Sequence, residues 1–400
     1  MKINYEKMND KLMMFFILTF FLERIDLSMG YSPIRITPLI ISIVFFQIFF
    51  LKDIMKKIEK INIYHCVFVL FLFFIITIST IINIKIVSAG KSITIITNLI
   101  FAYEIYLLCS KKVFDIVEKT LKIYLLLCIP LLTYNYVDFY FGLDYNFRII
   151  DLQTMRLWLY IPRFSGFELD PNRGGFEFAL MYIFFSYVRK NNAFAIVSMM
   201  MMILSVSRSA CFSMLMFYIT KFLIEIDFSI KLKKTFVIIV GIFLFICFLE
   251  NNDILKAIVL SRIDFNEYSA SIHFELYKEA IRYISSDGIH FLFGYGFGSS
   301  GVLLKNYFDG GYGNFHSGYL SILVEGGSLF FLTSLILVSK YLIFNKNLIL
   351  IMLLSFSIFY QYFHPFAYLI IFIWNKFLME KKYENSNGCG FVSTRYLWCR

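Results

Sequence analysis

The chain has 400 residues, 59% hydrophobic and 20% aromatic but only 16% charged. An ordinary soluble domain carries about 25% charged residues, so the composition excludes one and favours a membrane protein. The formal charge of +10 does not call for nucleic acid, because basic residues of membrane proteins collect in cytoplasmic loops.

Apolar runs near the length of a bilayer recur throughout, which predicts an all-α, polytopic transmembrane bundle. The alternation over about 10 residues that marks a β-barrel is missing. In chain order, a polar start, 1–11, precedes a first span at 12–29 that Glu23, Arg24 and Asp26 interrupt. No small-residue cleavage site follows it, so a retained span is expected rather than a signal peptide. Further spans are expected at 36–51, 61–84, 93–109, 121–136, 174–188, 193–206, 210–226, 235–249, 317–338, 348–362 and 365–378. The total is about 12 spans, with both termini in the cytoplasm and a large extracytoplasmic loop between spans nine and ten. The lysine runs at 52–60, 111–122 and 221–234 then fall inside, and the long polar intervals fall outside. The chain divides into N-terminal spans (1–136), a first outer loop with the middle spans (137–249), a large periplasmic loop (250–316), C-terminal spans (317–379) and a cytoplasmic tail (380–400).

Cysteine is no framework here. Cys66, Cys109, Cys128, Cys211 and Cys247 lie in or beside apolar runs, where Cys behaves as a small hydrophobe. No close-set Cys/His group suggests a metal site, and no cluster of carboxylates is visible along the chain. No metal and no cofactor are expected.

Three outer features invite chemistry. The first runs from Arg163 to Asn172. Asp170-Pro171-Asn172 signals a helix start, which is either a capped span or an anion site. Arg163 is out of place for topology, and its planar fork suits phosphate. The second is Ser205-Val206-Ser207-Arg208-Ser209, a turn of almost no length between two apolar runs. Its Arg208 either snorkels to the interface or faces a polar cavity. The third is the outer interval 251–327. There Ile272, Leu276, Tyr277, Ala280, Ile281 and Ile284 share one helical face, with Glu275, Lys278 and Arg282 opposite. Gly294, Gly296 and Gly298 lack the context of a phosphate loop and are read as a hinge. The interval also carries Arg262.

Of the five histidines, His65 and His364 read as interfacial residues, and His273 and His290 have no acid at a set spacing. His316 stands at the mouth of span ten beside Asn314 and Ser317. A neutral imidazole there can take a proton from a hydroxyl near neutral pH. Glu325 lies deeper, beside Gly326 and Gly327, where a buried charge needs a partner or a proton.

Taken in order, Arg163-x-Ser-Gly-x-x-x-Asp-Pro-Asn172, Ser207-Arg208, Gly294-x-Gly296 and His316 with Tyr319-Leu320 and Glu325-Gly326 resemble the O-antigen polymerase and O-antigen ligase superfamily. The resemblance covers about 161–337. The earlier spans match only as hydrophobic spans. Relatives often carry an Arg where this chain has His273, with Arg262 and Arg282 to either side.

The resemblance implies a glycosyltransferase of the bacterial inner membrane that uses undecaprenyl-diphosphate-linked glycans and membrane lipid, with no nucleotide donor and no metal. A chain-length regulator protein is a possible partner, and nucleic acid is not. Outer placement, suitable chemistry and motif position together lead us to expect His316 as the base or as the group that orients the acceptor hydroxyl, Arg163 and Arg208 on the diphosphate with Arg262 or Arg282 assisting, and Asp170, Asn172 and Glu325 shaping the site. A polymerase is expected ahead of a ligase. A lipid-linked-oligosaccharide flippase would instead show paired halves with broken helices, and no internal repeat is present.

Overall fold

The computed structural model describes residues 5–25, 27, 37–58, 63–83, 86–109, 112–142, 155–157, 161–224, 268–305, 315–345, 347–360 and 363–387. The described elements are helical apart from one small ribbon. In order they are α1 (Tyr5–Leu18), α2 (Pro38–Ile58), α3 (Ile63–Ile82), α4 (Ile86–Leu108), α5 (Val113–Phe141), β1 (Met155–Leu157), β2 (Ile161–Arg163), α6 (Pro171–Ile183), α7 (Asn192–Leu204) and α8 (Arg208–Ile224). Then come α9 (Tyr268–Ile284), α10 (Gly288–Phe293), α11 (Ser300–Leu303), α12 (Gly318–Asn345), α13 (Leu348–Ser357) and α14 (Pro365–Asn387). β1 and β2 pair antiparallel, with Met155 opposite Arg163. That ribbon is the one departure from the all-α expectation among the described residues.

Two helices, Lys91–Leu108 and Gly318–Ile336, are long and apolar enough to cross a membrane, and Pro38–Phe50, Phe71–Ile82, Asn192–Leu204 and Leu348–Ser357 are shorter apolar helices. The count of about 12 spans therefore stays an expectation; its ninth, 235–249, lies outside the described residues. The bundle presents a greasy outer surface. Phe49 is 63% exposed, Phe74 58% and Leu126 57%. Such a surface is costly in water and costs nothing against lipid tails.

Helix ends differ from the sequence reading at informative places. The first helix stops at Leu18, followed by a 3-10 turn to Phe21. Glu23 and Arg24 thus stand beyond the helix instead of interrupting a span. Arg24 is 1% exposed. Its backbone N–H donates to the Phe167 carbonyl at 2.9 Å, and its guanidinium donates to Ser165 Oγ at 2.8 Å and the Glu168 carbonyl at 3.0 Å. The segment 165–168 is clasped to the end of α1 in this way. At the other end of the bundle, Arg189 pairs with Asp115 at 2.8 Å and with Glu118 on α5. Two intervals expected on the same membrane side are therefore neighbours.

α12 is a broken helix. Gly327 has φ 75° and ψ 175°, far from helical values. A break there frees carbonyls at 324 and 325, which would otherwise accept from residues four positions on. The glycine loop fills the gap. Tyr295 N–H donates to the Val324 carbonyl at 2.7 Å, Gly296 N–H to the Glu325 carbonyl at 2.9 Å, and Ser79 Oγ to the Glu325 carbonyl at 3.1 Å. The glycines thus dock the loop backbone into a helix break, and the hinge reading is replaced. Gly294 (φ 73°) and Gly327 face each other so closely that a Cβ on either meets the other's backbone. Gly294→Ala is expected to cost about 1–3 kcal/mol from the left-handed backbone alone, with the clash added. The measurement is the unfolding midpoint of the purified protein, and an unchanged midpoint refutes the docking role.

The amphipathic helix of the large loop is α9. Ile272, Leu276 and Ala280 are buried against Leu304, Phe315 and Val324. Ile281 departs from that face and is exposed. The helix packs on α12, and this contact carries His273 toward the bundle.

Candidate active site

The site is assembled around Arg163. The Phe164 N–H donates to the Leu204 carbonyl at 3.0 Å, seating the end of β2 on the turn after α7. Arg163 Nε donates to the Ser205 carbonyl at 3.1 Å and Nη2 to Asn172 Oδ1 at 3.0 Å. Ser207 Oγ donates to the same Asn172 oxygen at 3.2 Å. Asp170 is the N-cap of α6, accepting from the Asn172 N–H at 2.7 Å with Pro171 in the first turn. Its second oxygen accepts from the Tyr360 hydroxyl at 2.5 Å, and Asn172 Nδ2 donates to Tyr360 Oη at 3.3 Å. The capping that the sequence signals is real, and the cap carboxylate also holds a tyrosine from the turn after α13.

Two residues here sit in strained backbone. Val206 and His316 both have φ 50°, a region that a β-branched side chain in particular avoids. Such strain costs about 1–3 kcal/mol and persists where surroundings enforce it, often at functional sites. At Val206 the turn aims the Ser205 carbonyl at Arg163 and starts α8 at Arg208.

His316 joins this group through Tyr360 and Asp170. Its ring meets His273 of α9 edge-on at 4.4 Å and Tyr360 edge-on at 6.0 Å between centroids. Its carbonyl accepts from the Tyr277 hydroxyl at 3.2 Å. Burial lowers the His316 pKa, opposed by the negative charge of Asp170. His273 is pulled down to about 4 by burial, then by His316 and Arg208. Arg163 is also lowered, by burial first, with Arg208 adding to it and Asp170 and Tyr360 opposing. Arg208 thus acts electrostatically on both Arg163 and His273. The ensemble offers two neighbouring guanidiniums, a neutral imidazole pair and a hydroxyl–carboxylate couple. Guanidiniums suit phosphate oxygens, and a neutral imidazole suits proton removal from a hydroxyl.

The structure therefore brings together Arg163, Asp170, Asn172, Arg208 and His316 from the sequence reading. It does not bring Arg282, which is exposed at the end of α9 beside Glu279 at 3.6 Å. Nine residues of helix separate it from His273, about 13 Å at 1.5 Å per residue. Arg262 and Asn314 lie outside the described residues. Glu325 is fully buried, accepts from Ser300 Oγ at 2.6 Å and lies 3.8 Å from Lys91 Nζ. It secures the docked glycine loop, so its influence on the site is indirect. His290, read as lacking an acid, bonds Asp287 Oδ2 at 2.5 Å and stacks on Tyr295.

Tyr360 and the partnership of His273 with His316 are absent from the sequence reading. Tyr360 stands in a run of aromatic residues, Phe359 to Phe363, and nothing local sets it apart. A carboxylate cluster, not visible along the chain, is nevertheless built by folding. Glu168, Glu177 and His364 each bring one ligand-type atom within 4.8 Å of the others. His364, read as interfacial, stands between two acids, 3.6 Å from Glu168 and 3.3 Å from Glu177.

With this geometry in hand, the comparison with known families is decisive over one segment. Residues 193–335 match the family model described as O-antigen ligase. That match supports the O-antigen polymerase and ligase superfamily for this segment, without separating polymerase from ligase. No curated protein and no solved structure matches the chain. The family consists of membrane-embedded, helical, glycosyltransferase-like proteins acting on lipid-linked glycans in lipopolysaccharide biosynthesis. The matched segment contains Arg208, His273 and His316. Arg163, Asp170, Asn172 and Tyr360 lie outside its limits and complete the same cluster.

Proposed function

We propose that the protein is an O-antigen polymerase, joining undecaprenyl-diphosphate-linked repeat units at the periplasmic face of the bacterial inner membrane. The observation that carries the reading is the convergence of Arg163, Arg208, His273, His316 and Tyr360 at one end of the bundle, within and around the segment that matches the O-antigen ligase model. In this reading His316 takes the proton of the acceptor sugar hydroxyl. The freed oxygen bonds the anomeric carbon of the donor glycan. The bond from that carbon to the diphosphate breaks, and its electron pair leaves on the phosphate oxygen. Arg163 and Arg208 hold that growing charge. Tyr360 and Asp170 fix the edge of the pocket against which His316 packs. Arg262 is a further candidate for the diphosphate; Arg282 is too far along α9 to share it.

A ligase, which moves finished glycan to lipid A core, would use the same groups. Deletion separates the two. Loss of a polymerase leaves one repeat unit on the core, whereas loss of a ligase leaves none. Surface glycan with no repeat unit at all refutes the polymerase assignment.

The pH profile follows from the histidines. The base works neutral, and burial lowers its pKa, so activity should persist below the ordinary histidine value of about 6.5 before falling. Asp170 raises the His316 pKa. Asp170→Asn removes that charge and should move the acidic limb to still lower pH. A limb that stays in place would mean that another group titrates.

A further inference from the structure

α9 has two apolar faces where an amphipathic helix over a bundle needs one. Ile272, Leu276 and Ala280 pack inward. Opposite them, at positions i, i+4 and i+7 of one outward stripe, stand Phe274, Lys278 and Ile281. α10 follows with Ile289, Phe291 and Leu292, all exposed. Phe274 and Ile289 are each 61% exposed. Side chains of this size gain by leaving water, and five of them grouped on two neighbouring helices mark a surface that something apolar covers.

Two contacts set the depth of this surface. The stretch Gly318–Ile336 of α12 is long and apolar enough to cross a membrane. Gly327 lies nine residues into it, about 13.5 Å at 1.5 Å per residue, against a hydrocarbon core about 30 Å thick. The carbonyl of Leu292, near the end of α10, is so close that a Cβ on Gly327 would meet it at 2.3 Å. On the other flank, Asn83, just beyond α3, bonds the Gly294 carbonyl at 2.9 Å and the His290 ring at 3.2 Å. α10 packs on α3 as well as on α12, and α3 itself exposes Phe74 and Ile81. The apolar face of α10 therefore continues the greasy surface of a helix expected to span. Backbone that enters a membrane without crossing it must have its polar groups met by protein. Here the N–H groups of Tyr295 and Gly296 are taken up by the carbonyls that the α12 break releases.

We infer that α10 and the outward stripe of α9 are seated in the outer leaflet of the membrane, their apolar side chains among phospholipid acyl chains and Lys278 and Arg282 at the headgroup phosphates. The charges fit that occupant. Lys278 and Arg282 are exposed, and Lys278 Nζ lies 4.9 Å from the centre of the Phe274 ring. Long basic side chains beside apolar ones are the pattern of a helix lying in a membrane surface, where the stems stay in the apolar layer and the heads reach phosphate. Arg282 also contacts Glu279 at 3.6 Å on its own helix. The large outer loop is thus part of the membrane surface over 274–292. Its seat in the leaflet holds α9, and with it His273, against the mouth of the bundle. The inference does not depend on whether the enzyme is a polymerase or a ligase.

The test uses the full-length protein, one copy per nanodisc so that no second copy can cover the patch. The discs hold phosphatidylethanolamine and phosphatidylglycerol with a trace of phospholipid carrying a diazirine in its acyl chain. Light expels nitrogen, the carbene left behind inserts into the side chain it touches, and peptide mass spectrometry locates the adducts. They should fall on Ile289, Phe291 and Leu292 as often as on Phe74 of α3, and not on Ser285 or Asp287. Lys278→Gln combined with Arg282→Gln should lower the adducts on Phe274 and Ile281 several-fold, while those on Phe74 stay and report a folded variant. Adducts on Phe74 with none on α9 or α10 put these helices in water and overturn the inference. Undiminished adducts on Phe274 and Ile281 in the double variant overturn the headgroup role of the two cations. Adducts that vanish when a little polyprenyl diphosphate is added assign the surface to a substrate tail and overturn the choice of phospholipid.

Discussion

Cells whose copy carries His316→Asn should display surface glycan of single repeat units, without the ladder of longer chains. Asparagine tolerates the positive φ of position 316 better than most residues, so the backbone is retained while the proton acceptor is lost. Removing a positioned general base costs about 10²–10⁴-fold in rate, enough to suppress a process that must repeat many times per chain. His316→Ala should do the same with an added penalty at the strained backbone. The control is the amount and unfolding midpoint of each variant. A normal ladder from a well-folded His316→Asn protein removes the base assignment. His273→Gln offers a contrast. It takes away the edge-on neighbour but leaves His316, so turnover should fall less than in the His316 variants.

Arg163→Lys should reduce turnover about 10²–10³-fold, the usual cost of losing a preorganised donor to developing charge. Lysine keeps the charge but not the fork. The arginine holds the Ser205 carbonyl through Nε and Asn172 through Nη2 at once, and an ammonium on a flexible stem cannot reproduce that plane. The loss should appear in kcat more than in KM, because the charge on the leaving diphosphate grows only as the bond breaks. A purely structural arginine would lower the unfolding midpoint and leave the turnover of the folded fraction intact. That pattern would take Arg163 out of the reaction and leave Arg208 as the remaining phosphate contact from the sequence reading inside the matched segment that the structure describes.

The two variants probe members of one cluster, linked through Asp170 and Tyr360, and their effects should not add. A residue that removes a proton and one that stabilises the departing charge serve the same transition state. Once either is lost, the other has less to act on. The double variant should therefore fall little below the weaker single variant. A full multiplicative loss would indicate that the two side chains serve separate steps.

Much was legible in the chain itself. Apolar runs alone specify helices in a membrane, because only internally bonded backbone survives there. Pro171 after Asp170 specifies a capped helix start through a fixed φ and a side-chain acceptor, and the structure places both where they were read. Charge placement named Arg163 and Arg208, because an arginine in a turn expected outside has no topological reason to be there. These are local signals, and local physics suffices for them.

Tertiary structure decided the rest, because the deciding contacts join residues far apart in sequence. Tyr360 meets Asp170 across 190 positions, and no spacing rule reaches that distance. Arg282 shares a helix with His273, yet helical rise carries it away from the pocket. The glycines at 294 and 296 read as a hinge until a break at Gly327 supplies carbonyls for their loop to cap. Glu168, Glu177 and His364 look ordinary in their own segments and become a cluster only when α6 and two turns meet. The sequence by itself determined that the chain is helical and apolar and where the Asp170–Pro171 helix start lies. Only the packing of the bundle determined which residues share a pocket, because convergence is a property of three-dimensional contact and leaves no period in the chain.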